Sequence, residues 1–340
     1  MNDPSCPQLT ITFAPAWWRA RYGMDFGEPA WLDPIQRTEI DRTMRRLLHE
    51  RFGDVGLGEA DPHPTPNVEA YGHRFMAAFW GCEIVYPADQ PPAALPLPDA
   101  AARMAALRLP DPHDSPIVQR ALREARLLRE RYGTCDGYIN LGGPLNNAVS
   151  VFGEEILLAI ASDPDLARRV LQIMAEALMV VYRAVTCPIN GTDPAVRQQR
   201  GGIGNCPVCM ISPESYRQVV LPADLWYREH HIDFGIHHCG ALHPYLEAYR
   251  ALRPADFDTG WTSDRRAVRL AYPDTPMSLL IEASALAGKS RPEIDALLAL
   301  AIEEAGPTRL IPRIRDCDVG LEVADVTVRD FMTAPARIGV

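Results

Sequence analysis

The chain has 340 residues, 47% of them apolar and 23% charged, with a formal net charge of −10. That balance is the one of an ordinary globular protein, and the acidic excess argues against nucleic acid as the main partner, since phosphate binding needs a basic surface. The sequence shows no apolar run of the roughly 18 to 20 residues that a membrane span needs, and Met1-Asn2-Asp3-Pro4-Ser5 carries no basic-then-apolar signal pattern, so a cytoplasmic, membrane-free protein is expected. In that compartment the eight cysteines read as thiols or metal ligands rather than a disulfide frame.

In chain order, Asp33-Pro34 opens a helix, with Asp as its cap and Pro in its first turn. Ile35, Ile40, Met44, Leu47, Leu48 and Phe52 give that helix its apolar stripe. Residues 61–66 and 90–98 are Pro-rich connections. From Asp114 the texture changes to helices alternating with short apolar strands. Helix 114–132 stops at Gly133, and strand 137–141 runs into Gly142-Gly143-Pro144. Helices are expected from Asp163-Pro164 and from Ser212-Pro213, the latter to about His230. Then come strand 234–239, helix 242–252, strand 256–258, helix 264–271 and strand 277–281. A helix with the capping box Ser290-x-x-Glu293 follows, then strand 308–315 and a closing helix 326–332. This βαβα rhythm implies a parallel sheet, and the length favours a (β/α)8 TIM barrel. Residues 1–70 read as an N-terminal helical extension packed on a barrel of residues 71–340.

The segment Phe234-Gly235-Ile236-His237-His238-Cys239-Gly240 carries the most chemistry. Side chains alternate along a strand, so His237 and Cys239 share one face and His238 takes the other. An imidazole and a thiol at a strand end make half of a zinc site, and a catalytic zinc needs about three protein ligands and an open position. Cys317, after the strand-like run 308–315, is the third candidate ligand. If both strands belong to one barrel, their ends meet at the mouth where such barrels place their chemistry. Asp258, at the end of the intervening strand, is a candidate oxygen ligand, and Glu282 one strand later is another. Glu282, Tyr138, Asn140 and Asn205 are candidate pocket residues near strand ends. Cys206-Pro207-Val208-Cys209 is read as a further pair at the same mouth, contacting the substrate or contributing thiolates. His230, His231, His238 and His243 read as structural, and Trp17, Trp18 and Trp31 as core.

Two stretches resemble the uroporphyrinogen decarboxylase superfamily of TIM barrels. The first is Asn140-Leu141-Gly142-Gly143-Pro144-Leu145-Asn146-Asn147-Ala148 with Gly153-Glu154-Glu155 and Asp163-Pro164-Asp165. The second is Ile211-Ser212-Pro213-Glu214-Ser215-Tyr216 with His237-His238-Cys239-Gly240. Within that superfamily, a His-x-Cys strand end with a distant Cys is similar to the zinc-dependent methylcobamide:coenzyme M methyltransferases. The resemblance implies a zinc-dependent methyltransferase that activates a thiol, with a methylated corrinoid on a partner protein as donor. Zinc is then the expected cofactor, a small thiol or methylated molecule the expected substrate, and a homodimer an expected assembly. The runner-up is a decarboxylase or tetrapyrrole-binding protein without catalytic metal, drawing on Arg19, Arg21 or Arg74. A non-catalytic zinc barrel is the third reading, marked by a fourth protein ligand such as Cys206 or Cys209 closing the site.

Overall fold

The structure, a computed structural model, describes residues 9–68, 74–306, 310–313 and 319–339, the segment 310–313 by its backbone alone. A two-stranded antiparallel hairpin, β1 (Ile84–Val85) with β2 (Ala93–Ala94), stands apart from the main sheet. The main sheet holds β3 (Gln198–Gly204), β4 (His231–His238), β5 (Asp256–Thr259), β6 (Met277–Leu280) and β7 (Leu310–Arg313). They are hydrogen-bonded in chain order, and every pairing is parallel. Sequential parallel strands joined by helical crossovers are the wall of a TIM barrel. Two isolated parallel bridges, Phe13 with Val319 and Asn67 with Asp136, lie outside these strands.

Register decides what stands at the mouth. His237 of β4 is level with Gly204 of β3 and with Asp258 of β5. Along β4, Phe234, Ile236 and His238 are buried under the helices, while Gly235 and His237 are partly accessible. The Phe234 ring meets Tyr227 of helix Leu221–Arg228, and the His238 ring lies 5.7 Å from that of Tyr245. This is the alternation expected of a strand covered by helices on one side.

The strand expected at 137–141 does not form. The N–H groups of Gly137, Tyr138 and Gly142 donate to the side chains of Asn190, Asp136 and Asn140 at 2.8, 2.9 and 3.2 Å. Side-chain acceptors of this kind compete with a sheet ladder for the backbone. Conversely, β3 arises from Gln198-Gln199-Arg200-Gly201-Gly202-Ile203-Gly204, a sequence with little strand propensity. It forms through close approach to β4. A Cβ on Gly201 would stand 1.9 Å from the His231 ring, so only glycine fits there.

Helix Pro164–Asn190 is the longest, capped by Asp163, whose Oδ1 accepts from the Leu166 N–H at 3.1 Å, and ended by left-handed Gly191. It is the one helix among the described residues long and apolar enough to cross a membrane, yet 61% of that apolar window is buried within the fold. The expected capping box forms at Ser290, with the Ser290 N–H donating to Glu293 Oε2 at 2.8 Å.

The N-terminal segment is woven into the body. Trp17 and Trp18 are 1% exposed. Their rings cluster with Phe13, Tyr22 and Phe52 at centroid distances of 4.4 to 6.5 Å. Burying each such ring contributes about 1.5 to 3 kcal/mol or more. Arg37 reaches Glu124 at 3.2 Å across the boundary, with both side chains largely buried.

Candidate metal centre

Three elements meet at the end of β4. β4 delivers His237, the turn after it delivers Cys239, and a 3-10 turn over Cys206–Met210 at the end of β3 delivers Cys206. The turn after β4 is pressed against the loop after β5. A Cβ on Gly260 would lie 1.8 Å from the Cys239 carbonyl oxygen, so glycine is required at this crossing. Asn205 ties the β3 side to β4, its N–H donating to the His237 carbonyl at 2.8 Å.

The two His237 ring nitrogens have separate tasks. Nδ1 is 2.9 Å from Asp258 Oδ2, and Nε2 is 3.0 Å from Cys239 Sγ. Cys206 Sγ lies 3.1 Å from Cys239 Sγ. One potential ligand atom each of Cys206, His237 and Cys239 falls within 4.8 Å of the others. Two sulfurs and one imidazole nitrogen at this spacing form a soft N/S donor set, the kind zinc accepts. A carboxylate on the far ring nitrogen fixes the tautomer and strengthens the nitrogen that faces a metal.

The electrostatics agree with the geometry. The Cys239 sulfur, with help from His237, lowers the Cys206 thiol to about 4 against opposition from burial. Burial works against a charged His237, but Asp258 and Cys206 outweigh it and raise the imidazolium to about 10. In metal-free protein this is a thiolate–imidazolium pair, and a thiolate is the form that binds metal. Cys206 is partly accessible and Cys239 exposed, so the cluster opens to solvent.

Of the residues singled out from the sequence, His237 and Cys239 stand together, and Cys317 lies outside the described residues. Asp258 is buried at His237 Nδ1, in the orienting place behind a ligand. Cys206, read as a pocket residue, stands beside the pair as a potential ligand. Cys209 is exposed, with its Sγ 3.0 Å from the Cys206 carbonyl oxygen. Asn205 is fully buried beneath the turn. Glu282 is exposed at the N-terminus of the short helix Ala283–Leu286, Asn140 accepts from the Gly142 N–H, and Tyr138 is 54% exposed. Reasoning from the sequence missed Asn146. Its amide Nδ2 would be 3.1 Å from a Cβ on Gly204, the residue level with His237. Its buried Oδ1 has no protein partner among the described residues. Its place two residues after Gly-Pro, at the start of helix Pro144–Phe152, was the available signal.

A profile described as Uroporphyrinogen decarboxylase (URO-D) matches residues 74–304. The chain belongs to the uroporphyrinogen decarboxylase family. A solved methyltransferase from Methanosarcina mazei superposes with a TM-score of 0.66, covering 100% of this chain and 96% of that one at 16% identity. At that identity the likeness speaks for the fold, a TIM barrel. No curated protein matches the chain.

Proposed function

We propose that this member of the uroporphyrinogen decarboxylase family is a zinc-dependent methyltransferase acting on a small thiol. The cluster of Cys206, His237 and Cys239 at the barrel mouth carries the reading. Cys317 is proposed as a further ligand. A zinc ion held there would keep a substrate thiol in its nucleophilic thiolate form at neutral pH. His237 would present Nε2 while Asp258 holds the proton at Nδ1. Cys206 and Cys239 would supply anionic sulfur, which favours a nucleophilic bound thiolate over strong Lewis acidity. The Asn146 amide, beside Gly204, would contact the substrate. The methyl donor is proposed to be a methylated corrinoid on a partner protein docked over the open mouth. Methyl transfer as the reaction class draws support from the Methanosarcina mazei protein, a methyltransferase that shares the fold over the whole chain.

One observation favours a second reading. Cys206 beside His237 and Cys239 gives the site enough protein donors to close around an ion once Cys317 joins, as in non-catalytic zinc sites. Cys239 exposure favours the open site. Elemental mass spectrometry on wild type and Cys239→Ala decides first. About one zinc per chain, lost in the variant, supports the site, and zinc-dependent methylation of an added thiol by methylcobalamin then separates the two readings. Absence of metal after zinc addition removes both and returns the chain to the decarboxylase reading.

A further inference from the structure

Directly behind the Cys206 turn lies a buried polar cluster with no part in the reading above. Asn205, Tyr216, Asp224 and Tyr249 are all fully buried. Asn205 Nδ2 donates to Asp224 Oδ2 at 3.2 Å and lies 3.4 Å from the hydroxyls of Tyr216 and Tyr249. The Tyr216 hydroxyl donates to the same Asp224 oxygen at 2.8 Å.

The helix is built to make this meeting possible. Tyr216 and Asp224 are eight residues apart, and in a regular α-helix such residues point about 80° apart. The segment Tyr216–Val220 is a π turn, which absorbs one extra residue. That extra residue makes the spacing behave as seven, and both side chains then share one face. A buried acid surrounded by an amide and phenols is costly, and burial pushes Asp224 up to about 7. A π turn and a buried acid are both departures from the cheapest helix, and both serve contact with Asn205.

Asn205 is the residue next to Cys206, and its N–H ties the backbone of the Cys206 turn to the His237 carbonyl. The rest of the turn is held separately, by the Tyr245 hydroxyl at 2.8 Å from the carbonyl oxygens of both Val208 and Ile211. The Cys206 end of the turn is anchored by Asn205 on its backbone side and by the contact of Cys206 Sγ with Cys239 Sγ on the other. We propose that Asp224 is a positioning residue of the metal centre, setting through Asn205 where the Cys206 thiol stands relative to His237 and Cys239. The proposal rests on the reading that these three residues hold a metal ion.

The test is a double-mutant cycle. Asp224→Leu and Asp224→Asn are made in wild-type and Cys206→Ser backgrounds, and zinc affinity is measured by competition with a chromogenic chelator. Asp224→Leu is expected to weaken zinc binding about 10- to 100-fold in the wild-type background. In the Cys206→Ser background its further effect should stay within about twofold. Asp224→Asn, which keeps the shape and an acceptor for Tyr216, should recover most of the affinity. An equal loss in both backgrounds, or no loss in either, overturns the proposal.

A second readout needs no metal. Alkylation of Cys206 by iodoacetamide in chelator-treated protein, followed by peptide mass spectrometry, should change in rate with Asp224→Leu and stay near wild type with Asp224→Asn. Wild-type protein that binds no zinc would sink the metal reading, while this alkylation rate would still decide the positioning role. If Asp224→Leu does not fold, Tyr216→Phe removes one hydroxyl from the cluster and is read the same way, with an unchanged rate counting against the proposal.

Discussion

Cys239 stands between the other two members of the site, 3.0 Å from His237 Nε2 and 3.1 Å from Cys206 Sγ. Cys239→Ser should lose most bound zinc and Cys206→Ser should bind it measurably more weakly, whereas Cys135→Ser, a buried thiol bonded to the Asp136 carbonyl, should keep it. Equal metal content in all three variants would sink the ligand assignment. Asp258→Asn should retain zinc about 10- to 100-fold less tightly, because Asp258 orients the His237 ring, and chelator competition measures it. The thiolate–imidazolium pair also gives metal-free protein a pH signature. Cys206 falls from 9.0 to about 4 on folding, so its contribution grows as pH rises from about 4 towards 9.0. His237 rises from 6.5 to about 10, so its contribution is whole below 6.5 and is lost as pH climbs to about 10. Together they give a plateau between 6.5 and 9.0 that falls away on both sides. Thermal melts of chelator-treated protein should show that plateau, and Cys206→Ser should remove the rise on its acid side and leave a decline above 6.5.

At the scale of elements, the site depends on turns more than on strands. Gly260 lets the loop after β5 cross the Cys239 backbone at a distance no side chain permits. Gly260→Ala should cost about 1 to 3 kcal/mol through overpacking, read by urea denaturation, and should lower zinc content as well. A stability loss with zinc fully retained would mean that the two loops are independent of the site. The helical and later strand elements were legible because caps, prolines and apolar periodicity are local signals. The Ser290 capping box and the Asp163-Pro164 helix start formed as expected. A strand end was expected at Asn205 and Cys206, where β3 does end, but its span was not legible, since its glycines read as breakers until β4 lies against them. Segment 137–141 forms no strand, and the N–H groups of Gly137 and Tyr138 donate instead to the side chains of Asn190 and Asp136.

At the scale of the whole molecule, the two ends of the chain close on each other. Phe13 bridges Val319, Arg51 pairs with Asp325, and Arg329 reaches Asp54 at 2.9 Å. Arg51 and Arg329 also lie over aromatic rings of the Trp17–Phe52 cluster. Such packing argues that the segment from Phe13 to Asp54 and the barrel unfold together. A single denaturation transition, with coincident tryptophan fluorescence and circular dichroism, is the expected result. Trp17→Ala should shift that transition by about 3 to 5 kcal/mol. Two separate transitions would show an extension that folds independently of the barrel.

Local signals along the chain were enough to specify the parallel α/β architecture, most helix boundaries and the pairing of His237 with Cys239. All of these follow from periodicities of two or 3.6 residues and from local capping chemistry. It took the folded chain to bring Cys206 to 3.1 Å from Cys239. Folding also placed Asp258 at the back of the His237 ring and Asp224 beneath Asn205. These are contacts between neighbouring strands and their loops, fixed by register and by glycine-permitted close approach. Residue spacing along one chain does not encode which side chains end at the same height of a barrel; the hydrogen-bond register between strands does.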